Sequence, residues 1–210
     1  MIENETYNNY FNNLIKGAKY ECVAIFDKVI KSKVPVEKIY TQLFQRSLYQ
    51  VGEYWEMNKI SVATEHMATA ITENLMIKLQ PELFATDRTG KKAVIACVAN
   101  EYHQVGGKMV ADILEMNGWD GYFIGANTPN AELLRFIESK NPDLIGLSLS
   151  IYSNLPELKI TLAKIREHFP DMPVMVGGQA FRWGGTEIIQ NFSNVTYLSG
   201  VEDLHNFITQ

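Results

Sequence analysis

The hydrophobic pattern of the 210-residue chain changes its period once, near residues 84–90. Before this stretch, apolar residues recur every three or four positions, the spacing that places them on one face of an α-helix. After it, short continuous apolar runs alternate with stretches that keep the helical spacing. A continuous apolar run is typical of a strand that is buried on both faces of a sheet. The pattern therefore predicts two units of different architecture, joined by a linker at residues 84–90.

Four helical stretches precede the linker. They cover residues 7–16, 20–31, 35–48 and 61–79. Pro35 is placed in the first turn of the third helix, where a missing N–H is tolerated. Each stretch has one apolar face that must be covered by its neighbours, so residues 1–86 are predicted to form a four-helix bundle.

Strands and helices alternate after the linker. The predicted strands are residues 93–98, 121–124, 143–150, 173–178 and 195–198, and the predicted helices are 104–117, 131–139, 155–168, 186–191 and the stretch from 201. This alternation, with continuous apolar strands, is typical of a parallel sheet with helices on both faces. Residues 90–210 are therefore predicted to form a Rossmann-like, doubly wound, parallel five-stranded sheet, and the chain is of the α/β class.

Composition narrows the class of function. The formal net charge is −5, with a pI near 5.4, and neither half of the chain is basic, so direct nucleic-acid binding is not expected. The two cysteines, Cys22 and Cys97, are too few for a disulfide framework and fit a reducing compartment. The longest apolar run is residues 93–99, far shorter than the roughly 20 residues of a membrane helix. The N-terminus has no signal-peptide pattern. We expect a cytoplasmic protein without a membrane segment.

The polar and glycine residues at the ends of the predicted strands are the candidate site, because parallel sheets bind ligands at the carboxyl ends of their strands. They are Glu101, His103, Gly106, Ser148, Ser150, Gly177 and Gly178. An acid two residues before a histidine can hold one ring nitrogen and leave the other basic, the arrangement of a metal-ligating histidine. The serine pair also has a simpler interpretation as a partner of loop backbone, and the glycine pair as a tight turn. No dinucleotide or phosphate-loop glycine motif is present.

The order Glu101-x-His103-x-x-Gly106, Ser148-x-Ser150 and Gly177-Gly178 resembles the signature of cobalamin-binding domains. The resemblance implies that His103 is the lower ligand of cobalt and that the helical bundle caps the upper face of the corrin. It covers nearly the whole chain. Two positions differ from the usual family pattern, which has Asp at position 101 and Leu at position 150.

A second motif lies in the predicted bundle, where Trp55 is followed by nine residues and then by Glu65 and His66. It resembles the cap motif of adenosylcobalamin-dependent photoreceptors that repress carotenoid genes, which also have Glu two residues before the cobalt histidine. The resemblance implies that the three side chains surround the upper 5′-deoxyadenosyl group. In those photoreceptors a histidine follows the tryptophan and takes the upper cobalt site after illumination, whereas this chain has Glu56. Without the resemblance, His66 fits a bundle surface and Trp55 fits a bundle core.

Three functions follow from the resemblance. The favoured one is a light-sensing regulator that binds adenosylcobalamin and is not an enzyme. The second is a corrinoid carrier of a methyltransferase system, with methylcobalamin as the cofactor. The third is a passive corrinoid-binding or chaperone protein. The photoreceptors have a DNA-binding domain before the bundle, and here the bundle begins almost at Met1, so an output through a separate regulatory protein is expected, and assembly into a homo-oligomer is left open.

Overall fold

The computed structural model describes residues 1–84 and 86–208. Its contacts divide the chain into two compact units, Met1–Glu82 and a second unit that begins at Leu83. Each unit is described by itself. Residue 85 of the predicted linker and residues 209 and 210 of the predicted second domain lie outside the described residues.

The first unit is helical. Its elements are α1 (Asn4–Ile15), α2 (Lys19–Lys31), α3 (Val36–Ile39), a π-helical turn (Tyr40–Gln45), α4 (Arg46–Glu56), α5 (Val62–Ile77) and the short α6 (Gln80–Leu83). Aromatic side chains fill the space between the helices. Phe26 and Phe44 stack with ring centroids 5.7 Å apart, and both are almost fully buried.

The third helical stretch differs from its predicted extent at both ends. Pro35 precedes the helix in an extended conformation, with φ −55° and ψ 140°, and does not lie in the first turn as predicted. Helical structure then continues through the π-helical turn as far as Glu56, eight residues beyond the predicted end. The sequence does not predict this extension, because residues 49–56 are mostly polar and include Gly52. Val51 is only 1% exposed, and its burial holds α4 in the bundle.

The second unit is built on a sheet whose five strands are all parallel. Its elements are β1 (Lys92–Cys97), α7 (Val105–Met116), β2 (Asp120–Phe123), α8 (Asn130–Lys140), β3 (Leu144–Ser148), α9 (Leu155–His168), β4 (Val174–Gly177), β5 (Val195–Tyr197) and α10 (Val201–Ile208). Three 3₁₀ segments lie in its loops, at Tyr152–Asn154, Gln179–Trp183 and Thr186–Asn191. The third of these replaces the α-helix predicted at 186–191.

The strand order is β2-β1-β3-β4-β5, the flavodoxin-like order of a doubly wound sheet. A core of aliphatic side chains, including Val94, Ile145 and Val176, is buried between the strands and helices. The predicted fold class, a helical bundle followed by a five-stranded Rossmann-like sheet, is confirmed.

The second half of the predicted linker is held against the second unit. The backbone N–H of Thr89 donates to the carbonyl of Gly118 at 2.8 Å, and the Arg88 guanidinium donates to the carbonyl of Trp119 at 2.8 Å. Arg88 also pairs with Glu115, near the end of α7. These residues form no helix or strand, but their hydrogen bonds make them part of the second unit.

Within the described residues, no helix is both long and apolar enough to cross a membrane.

Candidate functional site

The strand order places the loops after β1 and β3 side by side. The connection after β1 leads to β2 on one side, and the connection after β3 leads to β4 on the other side. The two loops therefore diverge, which opens a crevice at the carboxyl edge of the sheet. The register aligns Cys97, Ser148 and Gly177 across β1, β3 and β4, so the predicted site motifs all begin at the same level of the sheet. The structure therefore brings the loops that contain Glu101, Ser150 and Gly178 to one edge.

The Glu101 carboxylate lies at the centre of this edge and is fully buried. Its Oε1 accepts hydrogen bonds from the backbone N–H of His103 at 2.9 Å and from His103 Nδ1 at 2.6 Å. Its Oε2 accepts from the backbone N–H groups of Ser150 and Ile151, each at 2.9 Å. One carboxylate thus joins the loop after β1 to the loop after β3.

These hydrogen bonds keep the carboxylate ionised. Burial by itself raises the pKa of Glu101, but the hydrogen bonds from the side chain and backbone of His103 and from the backbone of Ile151 and Ser150 favour the charged form. Together they lower the pKa to about 2, from an ordinary value of 4.5. Near neutral pH, Glu101 is therefore a pure acceptor.

The charge on Glu101 determines the tautomer of His103. A carboxylate can only accept, so Nδ1 of His103 must be the protonated ring nitrogen, and in the neutral ring the lone pair is on Nε2. The His103 side chain is 54% exposed, whereas Glu101 is 0% exposed. A buried acid thus holds a half-exposed imidazole with its basic nitrogen defined, which is the chemistry that a transition-metal ligand requires.

The neighbouring thiol does not compete as a ligand. Burial and the Glu101 carboxylate raise the pKa of Cys97 to about 12, although the Ser148 hydroxyl acts in the opposite direction. Cys97 therefore stays protonated at physiological pH, and its Sγ lies 3.7 Å from the carbonyl oxygen of His103.

The glycines at the start of α7 have different surroundings. Gly106 is exposed, and a Cβ added there would meet only Ser148 Oγ, at 3.9 Å. Gly107 is buried, and a Cβ there would lie 3.1 Å from Phe123 Cε2 and 3.4 Å from Ser148 Cβ. Gly107 thus allows α7 to pack closely on the sheet, while Gly106 leaves the surface beside His103 open.

The serine and glycine motifs have clear backbone roles. Ser148 is the last residue of β3 and is 8% exposed, and Ser150 contacts Glu101 through its backbone N–H. Gly178 has φ +120°, and a Cβ there would lie 2.2 Å from the carbonyl oxygen of Leu149. A Cβ on Gly177 would lie 2.9 Å from the carbonyl oxygen of Leu198. Only glycine fits at Gly178, so the turn interpretation accounts for the glycine at this position.

The second motif lies where α4 ends and α5 begins, in the first unit. Trp55 is 47% exposed, near the end of α4. Glu65 is in the first turn of α5, and its Oε1 accepts from the Thr69 hydroxyl at 3.0 Å. His66 Nε2 lies 3.5 Å from Glu65 Oε2, and the His66 side chain is 74% exposed. Trp55 is therefore not a core residue, and Glu65 and His66 are in contact with one another.

Three asparagines around Glu101 were not singled out from the sequence. Asn154 Nδ2 lies 3.4 Å from Glu101 Oε2, and Asn127 N donates to the Glu101 carbonyl at 2.7 Å. Asn100 and Asn127 have φ values of +64° and +47°. Asparagine favours left-handed turn positions, which could have placed these residues in turns. This preference does not predict that they contact the Glu101 loop.

Comparison with known proteins gives the same family for both units. A family model described as a B12 binding domain matches residues 91–199, and a second model of that description matches residues 6–80. The HTH-type transcriptional repressor CarH of Myxococcus xanthus is 28% identical over 159 residues, which are 75% of this chain and 52% of the repressor. The repressor CarA of the same organism is 30% identical over 59% of this chain and 43% of its own length.

A more distant relative is an enzyme. Methionine synthase of Mycobacterium tuberculosis is 25% identical over 80% of this chain and 14% of the enzyme. The chain thus spans about half or less of each of these curated relatives.

Solved structures share the fold. The monomethylamine corrinoid protein of Methanosarcina barkeri superposes with a TM-score of 0.82 at 17% identity, covering 97% of both chains. A cobalamin-binding protein from Desulfitobacterium hafniense gives a TM-score of 0.51 at 18% identity, again over 97% of both chains. Because the family models match both the helical bundle and the sheet, this chain belongs to the B12-binding domain family and binds cobalamin.

Proposed function

We propose that this chain is a light-sensing regulator that binds adenosylcobalamin, with His103 as the lower ligand of cobalt. The observation that carries the ligand assignment is the 2.6 Å contact between the buried Glu101 carboxylate and His103 Nδ1. It fixes the proton on Nδ1 of a half-exposed ring, so the lone pair of the neutral imidazole is on Nε2.

The proposed site supplies one protein ligand, His103, to a metal that would bring its other ligands with it. Within residues 1–84 and 86–208, no group of three or more His, Cys, Asp or Glu side chains is arranged to hold a metal ion. His103 would supply one nitrogen ligand to the cobalt of a corrin, whose ring would bring its own nitrogen ligands. The exposed Gly106, beside His103, leaves space for a bulky group at this edge.

Residues 1–86 are proposed to form the cap over the upper face, with Trp55, Glu65 and His66 toward the adenosyl group. The half-exposed Trp55 has an apolar ring available for an adenine, and its indole N–H can still donate. Glu65 Oε2 can accept from ribose hydroxyls while Oε1 is engaged by Thr69. These residues favour a nucleoside over a methyl group.

Adenosylcobalamin, when bound, would supply a cobalt–carbon bond that light can break. Trp55, Glu65 and His66 would hold the adenosyl group, so its release would change the surroundings of these three side chains. Two relatives with 28% and 30% identity are transcriptional repressors, which supports a regulatory output. We propose that the output passes to a regulatory partner or to a second copy of the chain.

A corrinoid carrier is the second candidate function. The match to methionine synthase over 80% of this chain favours it, as does Glu56 in the position where the resembling photoreceptors have histidine. A carrier must leave the upper face accessible, and it would bind methylcobalamin at least as well as adenosylcobalamin.

The test is an absorption spectrum of the protein loaded with adenosylcobalamin in the dark and recorded again after green light. We expect a histidine-ligated dark spectrum that converts on illumination, with a change in the size or shape of the protein measured by light scattering. Methylcobalamin-loaded protein is the control. An adenosyl-bound spectrum that survives illumination would reject the light sensor, and tighter binding of methylcobalamin would favour the carrier.

A further inference from the structure

The hydroxyl of Thr69, in the middle of α5, has an uncommon hydrogen-bond partner. Helical threonines often donate to the backbone carbonyl one turn earlier. Thr41 and Thr72, in the same helical unit, do so at 2.8 and 2.9 Å. Thr69 donates instead to a side chain one turn earlier, and its Oγ1 lies 3.0 Å from Oε1 of Glu65. This hydroxyl therefore holds a carboxylate rather than the backbone of its own helix.

The Glu65 carboxylate lies mostly inside the protein, because its side chain is only 23% exposed. A buried carboxylate is usually paired with a cation or with several hydrogen-bond donors. Within residues 1–84 and 86–208, no lysine or arginine forms an ion pair with Glu65, and its one ion-pair contact is with His66 Nε2, 3.5 Å from Oε2. Oε2 therefore keeps lone pairs that hydroxyl groups of a ligand can use.

The bond from Thr69 limits the directions in which this carboxylate can point. A glutamate on a helix has about two allowed χ1 wells and three χ2 wells, since χ1 near +60° clashes with the preceding turn. Without a donor for Oε1, the carboxylate would therefore be divided among roughly six orientations. The Thr69 hydroxyl stabilises those in which Oε1 faces the next turn of α5, and these keep Oε2 available to another partner.

We propose that Thr69 is a positioning residue that fixes the Glu65 carboxylate in the orientation that accepts from ribose hydroxyls of the upper ligand. The proposal rests on the proposed binding of adenosylcobalamin, and it names the residue that makes Glu65 selective for a nucleoside. Only the fraction of protein with Glu65 in this orientation gains the ribose bonds, so a smaller fraction lowers the apparent affinity in proportion. Division among roughly six orientations limits the loss of affinity to about sixfold.

The first experiment uses the full chain without cofactor. Three-bond NMR couplings across the Glu65 side chain report the populations of its rotamers. We expect one dominant rotamer in the wild type and several in Thr69→Val, which keeps the branched shape of threonine but has no hydroxyl. Thr69→Ser keeps the hydroxyl and should keep the dominant rotamer. Thr41→Val is the matched control, because the hydroxyl of Thr41 donates to the backbone carbonyl of Glu37 and not to a carboxylate.

The second experiment compares three cobalamins that differ in the upper ligand: adenosylcobalamin, methylcobalamin and an analogue with adenine on a five-carbon alkyl chain in place of the ribose. Thr69→Val should weaken adenosylcobalamin binding about threefold to sixfold. Its affinity for the other two should match the wild type, because neither has ribose hydroxyls. Thr69→Ser and Thr41→Val should match the wild type for all three.

A double substitution tests whether Thr69 acts through Glu65. Glu65→Ala removes the carboxylate, so the addition of Thr69→Val should cause no further loss of adenosylcobalamin affinity. Two losses that add would assign Thr69 a ligand contact of its own and overturn positioning. Thr69→Ala repeats each measurement if Thr69→Val folds poorly, since alanine is the better helix former.

Three results separate the role of Thr69 from the proposed binding of adenosylcobalamin. A single dominant Glu65 rotamer in folded Thr69→Val overturns positioning by Thr69, whatever the affinities. An equal loss for all three cobalamins overturns it as well, because Thr69 would then support the folded bundle and not the ribose contact. Several Glu65 rotamers in Thr69→Val, together with equal wild-type affinity for adenosylcobalamin and methylcobalamin, support positioning by Thr69 and overturn the adenosyl group as the preferred upper ligand.

Discussion

The two candidate regions of this protein differ in how firmly their own contacts define them. At the carboxyl edge of the sheet, Glu101 is fully buried and accepts hydrogen bonds on both oxygens. At the corner between α4 and α5, Trp55 is half-exposed and His66 is 74% exposed, and the Glu65 carboxylate accepts a hydrogen bond from Thr69 within its own helix. The Glu101–His103 region is therefore fixed by its own hydrogen bonds, whereas Trp55 and His66 keep exposed surface that a ligand could cover. This difference fits the proposed sensor, in which His103 would keep its contact with the cofactor while Trp55, Glu65 and His66 would respond to loss of the adenosyl group.

Removal of the His103 imidazole should produce the largest change. His103→Ala removes the proposed cobalt ligand, so cobalamin affinity should fall by at least about 100-fold, beyond the usual effect of losing an outer partner. Isothermal titration with adenosylcobalamin and the spectrum of the bound cofactor measure this. His168→Ala is the control, because His168 is the last residue of α9 and its Nδ1 lies 2.9 Å from the Lys164 carbonyl of the same helix. An unchanged affinity and spectrum in His103→Ala would show that His103 is not the cobalt ligand.

Neutralisation of the buried acid should have the next largest effect. Glu101→Gln keeps the shape of the side chain but no longer fixes the Nδ1–H tautomer, so affinity should fall about 10–100-fold. The matched control is Glu187→Gln, since Glu187 also accepts from a backbone N–H two residues away, at Gly185. If Glu101→Gln binds as tightly as the wild type, the tautomer is set by something other than this carboxylate.

The same variant should alter the pH dependence of stability without cofactor. Glu101 has a folded-state pKa of about 2 against an ordinary value of 4.5, so its charge stabilises the folded state above pH 4.5. The stabilisation is lost as the pH falls from 4.5 toward 2, and the shift corresponds to about 3 kcal/mol. Urea unfolding at several pH values should show a shallower acid decline for Glu101→Gln. Parallel declines for the variant and the wild type would contradict the assigned pKa.

A change in the cap should affect selectivity and leave ligation by His103 intact. Trp55→Ala should weaken adenosylcobalamin binding about 5–10-fold, near the lower end of the roughly 1–3 kcal/mol of a base–aromatic stack. Methylcobalamin binding and the histidine-ligated spectrum should be unchanged. Trp183→Ala, which removes a 69% exposed tryptophan from the second unit, is the control. An equal loss for both cofactors would mean that Trp55 contributes to folding and not to recognition of the nucleoside.

Glu56→His should cause the smallest change in cobalamin affinity, but this substitution should alter the product that forms on illumination. Carboxylate oxygen is a poorer ligand than imidazole for a transition metal that prefers nitrogen, so the wild-type photoproduct should carry water or hydroxide and shift with pH. Glu56→His should give a bis-histidine spectrum that does not change with pH near neutrality. Glu53→His, three residues earlier on α4, is the control. A stable bis-histidine photoproduct in the wild type that disappears in His66→Ala would assign the upper ligand to His66.

Sequence reasoning succeeded where the contact is local or follows from strand alternation. Glu101 and His103 are two residues apart, and the apolar run of β1 places both at the carboxyl edge, so their pairing was predictable. The extension of the third helical stretch to Glu56 was not, because burial of Val51 overrides a weak local pattern. The 3₁₀ segment at Thr186–Asn191 was predicted as an α-helix, because short apolar spacing does not distinguish the two.

The asparagine contacts were beyond sequence reasoning for a different reason. Asn154 reaches Asn100 and Glu101 across more than fifty residues, and this depends on how the loop after β3 docks beside the loop after β1. Turn propensity predicts that an asparagine occurs in a loop but not which loop it contacts. The hydrogen bonds from Ser150 and Ile151 to Glu101 could not be predicted either. Their donors are backbone N–H groups, which nearly every residue has, so the residue type does not indicate the bond.

Electron paramagnetic resonance can measure whether His103 is the lower ligand of cobalt, as we propose. Protein labelled with ¹⁵N-histidine and loaded with adenosylcobalamin is photolysed without oxygen, which leaves cobalt in the paramagnetic divalent state. A ligating ¹⁵N nucleus splits each cobalt line into a doublet, whereas ¹⁴N from the cofactor's own base gives a triplet. We expect a doublet in the labelled protein and its loss in His103→Ala. A triplet that persists in the labelled protein would show that the cofactor keeps its own base, and that His103 is not the ligand.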